Sequence, residues 1–434
     1  MSKRRRNKTF TNSKTEAFLK AVENENIKEV KLLLRSGEVD IDARHEALAD
    51  TALLIACEKQ NVKLAKILVT TKSGKANVNL ENLKGIRPVW WAAKYGNGEL
   101  ARVLLVDSQQ QVEVNFLDPQ SGCTPLYRGI LSNSVEVCRE LIHAGADVNL
   151  RQLGLAALAE SPLMKAVQLD NLEICELLVN SLCNIHAKTE DGFTALHYAV
   201  SYRRYEITEF LLQNRVKCMA KSNKGITAMT TAIEQHNAVM CRILIEYGYK
   251  MDSKFKWGES PLEMAIRFHS EECAMTLVQW GCKLAREKGT PSFFYMAANE
   301  GLTALLKLLI EINPYYLNEK WLYQKEVPLA LYKQPTFYKW LFEAATMPRS
   351  LASLCKAKIF QSLGKYPCSK VEKLPIPEKL KYQINHKHHF YDGMYTKKTI
   401  FTEECPYDCA SSCLKLQCPV LDFESSDGEF YTEI

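Results

Sequence analysis

The sequence predicts an all-α solenoid of about nine helix-turn-helix repeats, followed by a small helical module near the C-terminus. Three observations predict it. The first is compositional: of 434 residues, 47% are hydrophobic and 24% charged, with only 19 glycines and 15 prolines. Those are the proportions of an ordinary globular protein, and so few turn-formers disfavour an all-β fold built on tight turns. The second is a self-similarity of about 33 residues through most of the chain, the mark of a repeat architecture. The third is the loss of that period past residue 318, with a short amphipathic helix pattern downstream.

The repeats align in register. The first copy, EAFLKAVENENIKEVKLLL, begins at Glu16, and later copies begin at Thr51, Arg87, Thr124, Ser161, Thr194, Thr227, Ser260 and Ser292. The steps between those starts are 35, 36, 37, 37, 33, 33, 33 and 32 residues. In one copy, Thr194 is suited to cap a helix that buries Leu196 and Ala199. A break at 202–205 precedes a second helix whose Ile207, Phe210, Leu211 and Leu212 recur at helical spacing. Small residues at the Ala199-equivalent place (Ala21, Ala56, Ala92, Ala166, Ala232, Ala265 and Ala297) allow two antiparallel helices to approach closely. One hairpin cannot bury its apolar face alone, so stacking in series completes the core. The longer steps in the first half imply lengthened connectors near 71–80, 107–118 and 151–158, where insertions cost little.

The strings DGFTALHYAV at 191–200 and SGCTPLYRGI at 121–130 carry a T-P-L-H-x-A pattern with small departures, and HAGADVNLR at 143–151 supplies a matching loop. Together they closely resemble the ankyrin repeat. The resemblance implies a curved solenoid whose concave face binds another protein. It also implies that this face is lined by side chains four, seven and eight positions after each threonine-equivalent. Here those positions include Trp91, Tyr95, Arg128, Lys165, Tyr198, Tyr202, Met264 and Phe268. Aromatics and arginines there suit an interaction hot spot. His197, in the histidine place of the signature, is expected to form structural hydrogen bonds rather than act as a base.

Beyond the array, WLYQKEVPLALYKQPTFYKWLFEAA is aromatic-rich and reads as a cap or connector over 319–347, which repeat arrays need for solubility. Next, Pro348 and Ser350 sit at a helix start, and Leu351, Leu354, Cys355 and Ile359 form a narrow apolar stripe. Lys356, Lys358 and Lys365 lie opposite. Such a helix suits a partner's groove. The residues resemble the SOCS box over 348–384: Ser350, Leu351, Cys355 and Ile359 match its BC box (350–359). Leu374, Pro375, Ile376 and Pro377 match the L-P-Φ-P of its cullin box (374–384). The family's tyrosine three residues after Leu380 is Gln383 here, with Tyr382 beside it.

An ankyrin array (15–318) followed by a SOCS box is the layout of the ankyrin repeat and SOCS box protein family. The resemblance implies a non-catalytic substrate-recognition subunit of a cullin–RING ubiquitin ligase that promotes ubiquitination and degradation of a target. Ser350, Leu351, Leu354, Cys355 and Ile359 would bind Elongin C, accompanied by Elongin B. Leu374, Pro375, Ile376 and Pro377 would bind a type-5 cullin with its RING subunit. The target is a protein the sequence does not identify. An ankyrin scaffold or inhibitor that recruits no ligase is the alternative, and it predicts that 350–384 packs on the last repeat. No glycine-rich phosphate loop or H-E-x-x-H supports an enzyme, and no cofactor or metal is expected.

The ends add little. Residues 1–14 carry Lys3, Arg4, Arg5, Arg6, Lys8 and Lys14 with no acid, whereas 385–434 sets four lysines against nine acids. The net charge of +6 is therefore local and gives no case for nucleic acid. The basic stretch reads as a solvated tail, with a nuclear signal as the alternative. No run of about 18 apolar residues suggests a membrane span, and MSKRRRNKTF lacks the apolar core of a secretory signal. A cytoplasmic protein, with nuclear entry through the basic tail as a second location, is expected. The 15 cysteines then read as reduced thiols, nine of them in the repeats. In the tail, Cys405, Cys409, Cys413 and Cys418, with His386, His388 and His389 upstream, lack the paired C-x-x-C spacing of a zinc site.

Overall fold

A computed structural model describes residues 13–45, 48–71, 75–152, 159–255, 258–286, 290–323 and 327–346. These form nine helical hairpins: α1 Ser13–Glu23 with α2 Ile27–Ser36, α3 Ala52–Glu58 with α4 Val62–Thr70, and α5 Pro88–Tyr95 with α6 Gly98–Arg102. Next come α7 Pro125–Leu131 with α8 Val135–His143, α9 Pro162–Gln168 with α10 Leu172–Asn180, and α11 Ala195–Ser201 with α12 Tyr205–Gln213. The last three are α13 Ala228–Glu234 with α14 Ala238–Glu246, α15 Pro261–Arg267 with α16 Glu271–Gln279, and α17 Phe293–Asn299 with α18 Thr303–Ile312. First helix packs on first helix through the stack, and second on second from α4 onward. Among the described residues there is no strand, only an isolated bridge between Arg44 and Thr51. A second unit, 386–434, lies outside the described residues, as do the basic residues 1–12.

Six of the nine hairpins start with a hydroxyl cap. The hydroxyls of Thr51, Thr124, Ser161, Thr227, Ser260 and Ser292 accept from the backbone N–H three residues on. At Ser260 the Glu263 carboxylate returns the favour, accepting from the Ser260 N–H at 2.6 Å, a reciprocal capping box. Arg87 offers no side-chain cap, and Pro88 at the first helical position takes its place. Five of the second helices use asparagine: Asn26, Asn61, Asn97, Asn171 and Asn237 each accept from the backbone N–H three residues on.

The turn inside each hairpin repeats with equal fidelity. The ninth residue after each start is left-handed in all nine copies: Glu25, Gln60, Gly96, Asn133, Asp170, Arg203, His236, His269 and Gly301, with φ from 53° to 72°. Only two are glycine, so the other seven carry strain on the order of 1–2 kcal/mol each. A hydrogen bond holds each of them there. The next residue donates its N–H to the carbonyl of the small column residue, as Asn61 to Ala56 at 2.9 Å and Arg204 to Ala199 at 2.8 Å. That is the bond pattern of a Schellman stop.

The small column itself is buried: Ala21 is 2% exposed, and Ala56, Ala92, Ala166, Ala199, Ala232, Ala265 and Ala297 are 0%. Around it runs one continuous core from Phe18 to Leu341. All nine cysteines of the repeats are unpaired, eight of them buried, and burial pushes the Cys138 and Cys175 thiols up to about 12. They serve as small core residues. The third hairpin is irregular: α6 runs into a π-helical turn at Val103–Asp107, closed by Ser108 N–H to Val103 at 3.1 Å. One extra residue is thereby absorbed within the helix, a lengthening that the connectors alone do not explain.

After α18, two 3-10 turns (Pro314–Asn318 and Lys320–Leu322) lead to α19 Leu329–Tyr332 and α20 Pro335–Thr346. Tyr316 and Trp321 lie against Phe294 of the last hairpin, with centroids 5.3 and 5.6 Å away. The Trp321 indole donates to Glu319 at 2.6 Å, and Ser292 donates to the same carboxylate oxygen at 2.9 Å.

His197 ties two repeats together. Its Nδ1 accepts from the Thr194 N–H at 3.1 Å, and its Nε2 lies 3.1 Å from the Ile226 carbonyl. An N–H can only donate and a carbonyl can only accept, so the ring is neutral with its proton on Nε2. Burial, the main cause, lowers its pKa from 6.5. The unfolded chain therefore binds the proton more readily, and stability is full above pH 6.5 and falls as pH drops below it. We expect the urea midpoint to fall between pH 7.5 and 5.5, by at most about 1.4 kcal/mol per unit from this residue. His197→Gln should be less stable at pH 7.5 and should lose that part of the slope. An unchanged slope would assign the dependence elsewhere.

Candidate target-binding surface

The first helices α5, α7, α9, α11 and α15 carry the residues that the repeat pattern assigns to the concave face. They fall into three groups. In the first, Tyr95 is 41% exposed and stacks on Trp91 at 5.7 Å with planes 12° apart. Trp91 itself is 8% exposed and meets Trp90 edge-on at 5.1 Å. The Lys94 ammonium stands 4.6 Å from the Trp91 ring centre and 5.2 Å from that of Trp90, and the Arg128 guanidinium lies 5.2 Å from Trp90 on its other contact. Two cations thus share one indole. The buried Trp90 indole N–H has no acceptor among the described residues.

In the second group, half-buried Lys165 donates to Gln168 at 2.9 Å, and Gln168 donates to Glu160 at 2.7 Å. The Tyr198 hydroxyl donates to the same Glu160 oxygen at 2.9 Å, and the Tyr127 hydroxyl to the other at 3.4 Å. Burial first, and then the Glu160 carboxylate, pushes both phenols well above the usual tyrosine range. Both remain protonated donors at any physiological pH. Tyr198 stacks with exposed Tyr202 at 6.3 Å.

The third group departs from expectation. Met264 is only 1% exposed, so it offers no surface to a target. Its unbranched apolar side chain is buried in the core, where Lys165 and Arg128 at the same place in their repeats carry charge and stay half-buried. Phe268 is half-buried under the Arg267 guanidinium, 4.8 Å from its ring.

The repeat rule at the seventh position also reaches Lys94, which the sequence reading left unnamed. Trp90, Tyr127, Gln168 and Glu160 were missed as well. Trp90 and Tyr127 occupy the signature's histidine place, and Gln168, seven positions after Ser161, falls under the same rule as Lys94. The Glu160 contacts to Tyr127 and Tyr198 bridge 33 and 38 residues and follow only from the stacking. The residues assigned to Elongin and cullin, Ser350 to Ile359 and Leu374 to Pro377, lie outside the described residues. No group of three or more metal-ligating side chains occurs among the described residues, and no helix among them is long and apolar enough to cross a membrane.

The family comparisons agree with this architecture. The chain matches the ankyrin repeats family in three copies, over 72–152, 154–222 and 215–288, and the SOCS box family over 347–382. A B-cell lymphoma 3 protein homolog of Mus musculus is 28% identical over 122 residues, 28% of this chain and 26% of that protein. A putative ankyrin repeat protein, L371, of Acanthamoeba polyphaga mimivirus is 23% identical over 172 residues, 39% of this chain and 21% of that one. The matches thus span about a quarter or less of either relative. Among solved structures, the human ASB11 ankyrin repeat domain is similar at a TM-score of 0.44 and 23% identity, over 54% of this chain and 100% of that one.

Proposed function

This chain being an ankyrin repeat and SOCS box protein, we propose that it is a substrate-recognition subunit of a cullin–RING ubiquitin ligase. One observation carries the reading: a SOCS box match at 347–382 follows the array and its capping helices. In this role the chain needs no nucleophile. It raises the effective concentration of a target's lysines beside a charged E2 enzyme. Ser350, Leu351, Leu354, Cys355 and Ile359 are the proposed contacts with Elongin C, which brings Elongin B. Leu374, Pro375, Ile376 and Pro377 are those with a type-5 cullin and its RING subunit. The target would lie on the ankyrin face, against Trp91, Tyr95, Arg128, Lys165, Tyr198, Tyr202 and Phe268. The proposed outcome is ubiquitination and degradation of that target.

Co-expression with Elongin B, Elongin C and the type-5 cullin–RING pair tests this. The full chain should co-purify with all four, and a chain lacking 347–382 should emerge alone with its helical circular dichroism intact. Equal capture of the partners by the shortened chain would overturn the reading.

A further inference from the structure

Three cations stand on three successive first helices: Lys94 on α5, Arg128 on α7 and Lys165 on α9. Some bases of the array pair with acids, as Arg87 with Glu113, Arg204 with Asp170, Arg267 with Glu259 and Arg286 with Glu263, and others, such as Lys188 and Arg203, bond to backbone carbonyls. None of these three has a carboxylate of the described residues within ion-pair distance. Lys94 and Arg128 instead lie over the Trp90 indole, and Lys165 is held by the neutral Gln168 amide. Among the described residues the buried Trp90 N–H also lacks an acceptor. Such an arrangement leaves half-buried positive charge beside aromatic rings without a neutralising acid, which favours an anionic partner. The strip has acidic ends. Exposed Glu58 stands at the equivalent place on α3, and Glu160 lies at the α9 end, held by three donors.

Resting on the target-recognition reading above, we propose that this strip binds an extended acidic segment of the target, with aspartate or glutamate at every third position. The spacing follows from geometry. Packed helices lie about 8–10 Å apart, and an extended chain rises about 3.3 Å per residue. Three residues therefore step from one repeat to the next. Three acids at i, i+3 and i+6 meet Lys94, Arg128 and Lys165 in turn, and the intervening side chains pack on exposed Tyr95. Glu58 and Glu160 limit the segment to these repeats, because a longer acidic run meets like charge at both ends.

The test uses the full chain bound to Elongin B and C and a fluorescein-labelled 12-residue peptide with aspartates at positions 3, 6 and 9. Anisotropy should report saturable binding that weakens with added salt. Affinity should fall at least tenfold for the Asp→Asn peptide, for a peptide with its three aspartates contiguous, and for the Lys94→Glu, Arg128→Glu double variant. Lys63→Glu, on the exposed face of α4, should leave it unchanged. Absence of binding at millimolar peptide, or equal binding of the Asp and Asn peptides, would overturn the proposal. Tenfold tighter binding of a phosphoserine peptide of the same spacing would also overturn it, in favour of a phosphate reader. Because Elongin capture is scored in the same sample, its loss with peptide binding intact removes the ligase reading alone. The reverse removes only this inference.

Discussion

Leu351→Asp combined with Cys355→Asp is expected to abolish capture of Elongin C by the full chain. Residues 351, 354, 355 and 359 recur at i, i+3, i+4 and i+8, so a helix through them presents a single apolar stripe. Truncating one such anchor in a well-packed groove costs on the order of 2–4 kcal/mol. A carboxylate adds the penalty of leaving water without a partner. At 1.4 kcal/mol per factor of ten, two such changes weaken binding on the order of a thousandfold or more. Titration calorimetry with purified Elongin B/C measures the loss. The thermal transition of the array should be unaltered, because the substituted residues lie beyond the nine hairpins. Binding within tenfold of the parent chain would show that 350–359 is not the anchoring helix.

What the sequence made legible was what recurs locally. The hydroxyl starts, the second-helix apolar spacing and the small column all repeat with the period of the array, and each has a direct side-chain signal. The left-handed turn had none, because seven of its nine residues are not glycine. The backbone bond to the column carbonyl holds it, and no side chain announces that bond. Met264 was misplaced for a related reason. The repeat rule gives a position on the helix, whereas exposure depends on whether the side chain found there prefers water or the neighbouring repeat. The Tyr127–Glu160–Tyr198 contacts are non-local, and the segment just before Glu160 departs from the repeat pattern. Charge pairing was equally hidden: composition gives 56 bases against 50 acids, but only the stack shows which bases lack an acid.

The small column is where the array is least tolerant, and Ala199→Leu should show it. Ala199 is 0% exposed, and by register it faces Ile207, Thr208 and Leu211 of α12, themselves at most 1% exposed. The fourth hairpin reports the space available. A Cβ added to Gly129, its column residue, would come within 3.1 Å of Val137 and 3.4 Å of Cys138. If one methyl is already tight there, three further carbons at Ala199 must push α11 and α12 apart. That separation also strains the 2.8 Å bond from Arg204 to the Ala199 carbonyl, which holds Arg203 left-handed. Overpacking of this kind costs about 1–3 kcal/mol, sometimes more, and the coupled turn places Ala199→Leu at about 3 kcal/mol. In a stacked array the loss spreads to nearest neighbours first. Hydrogen exchange should therefore accelerate across 161–246 before it does in the first two hairpins. Gly129→Ala is the contrast, since about 1 kcal/mol of helix propensity offsets the crowding and its net effect should stay within about 1 kcal/mol. Equal stability of Ala199→Leu and the parent chain in urea would mean that the helices of this hairpin have slack the static packing conceals, and that the column sets composition without setting distance.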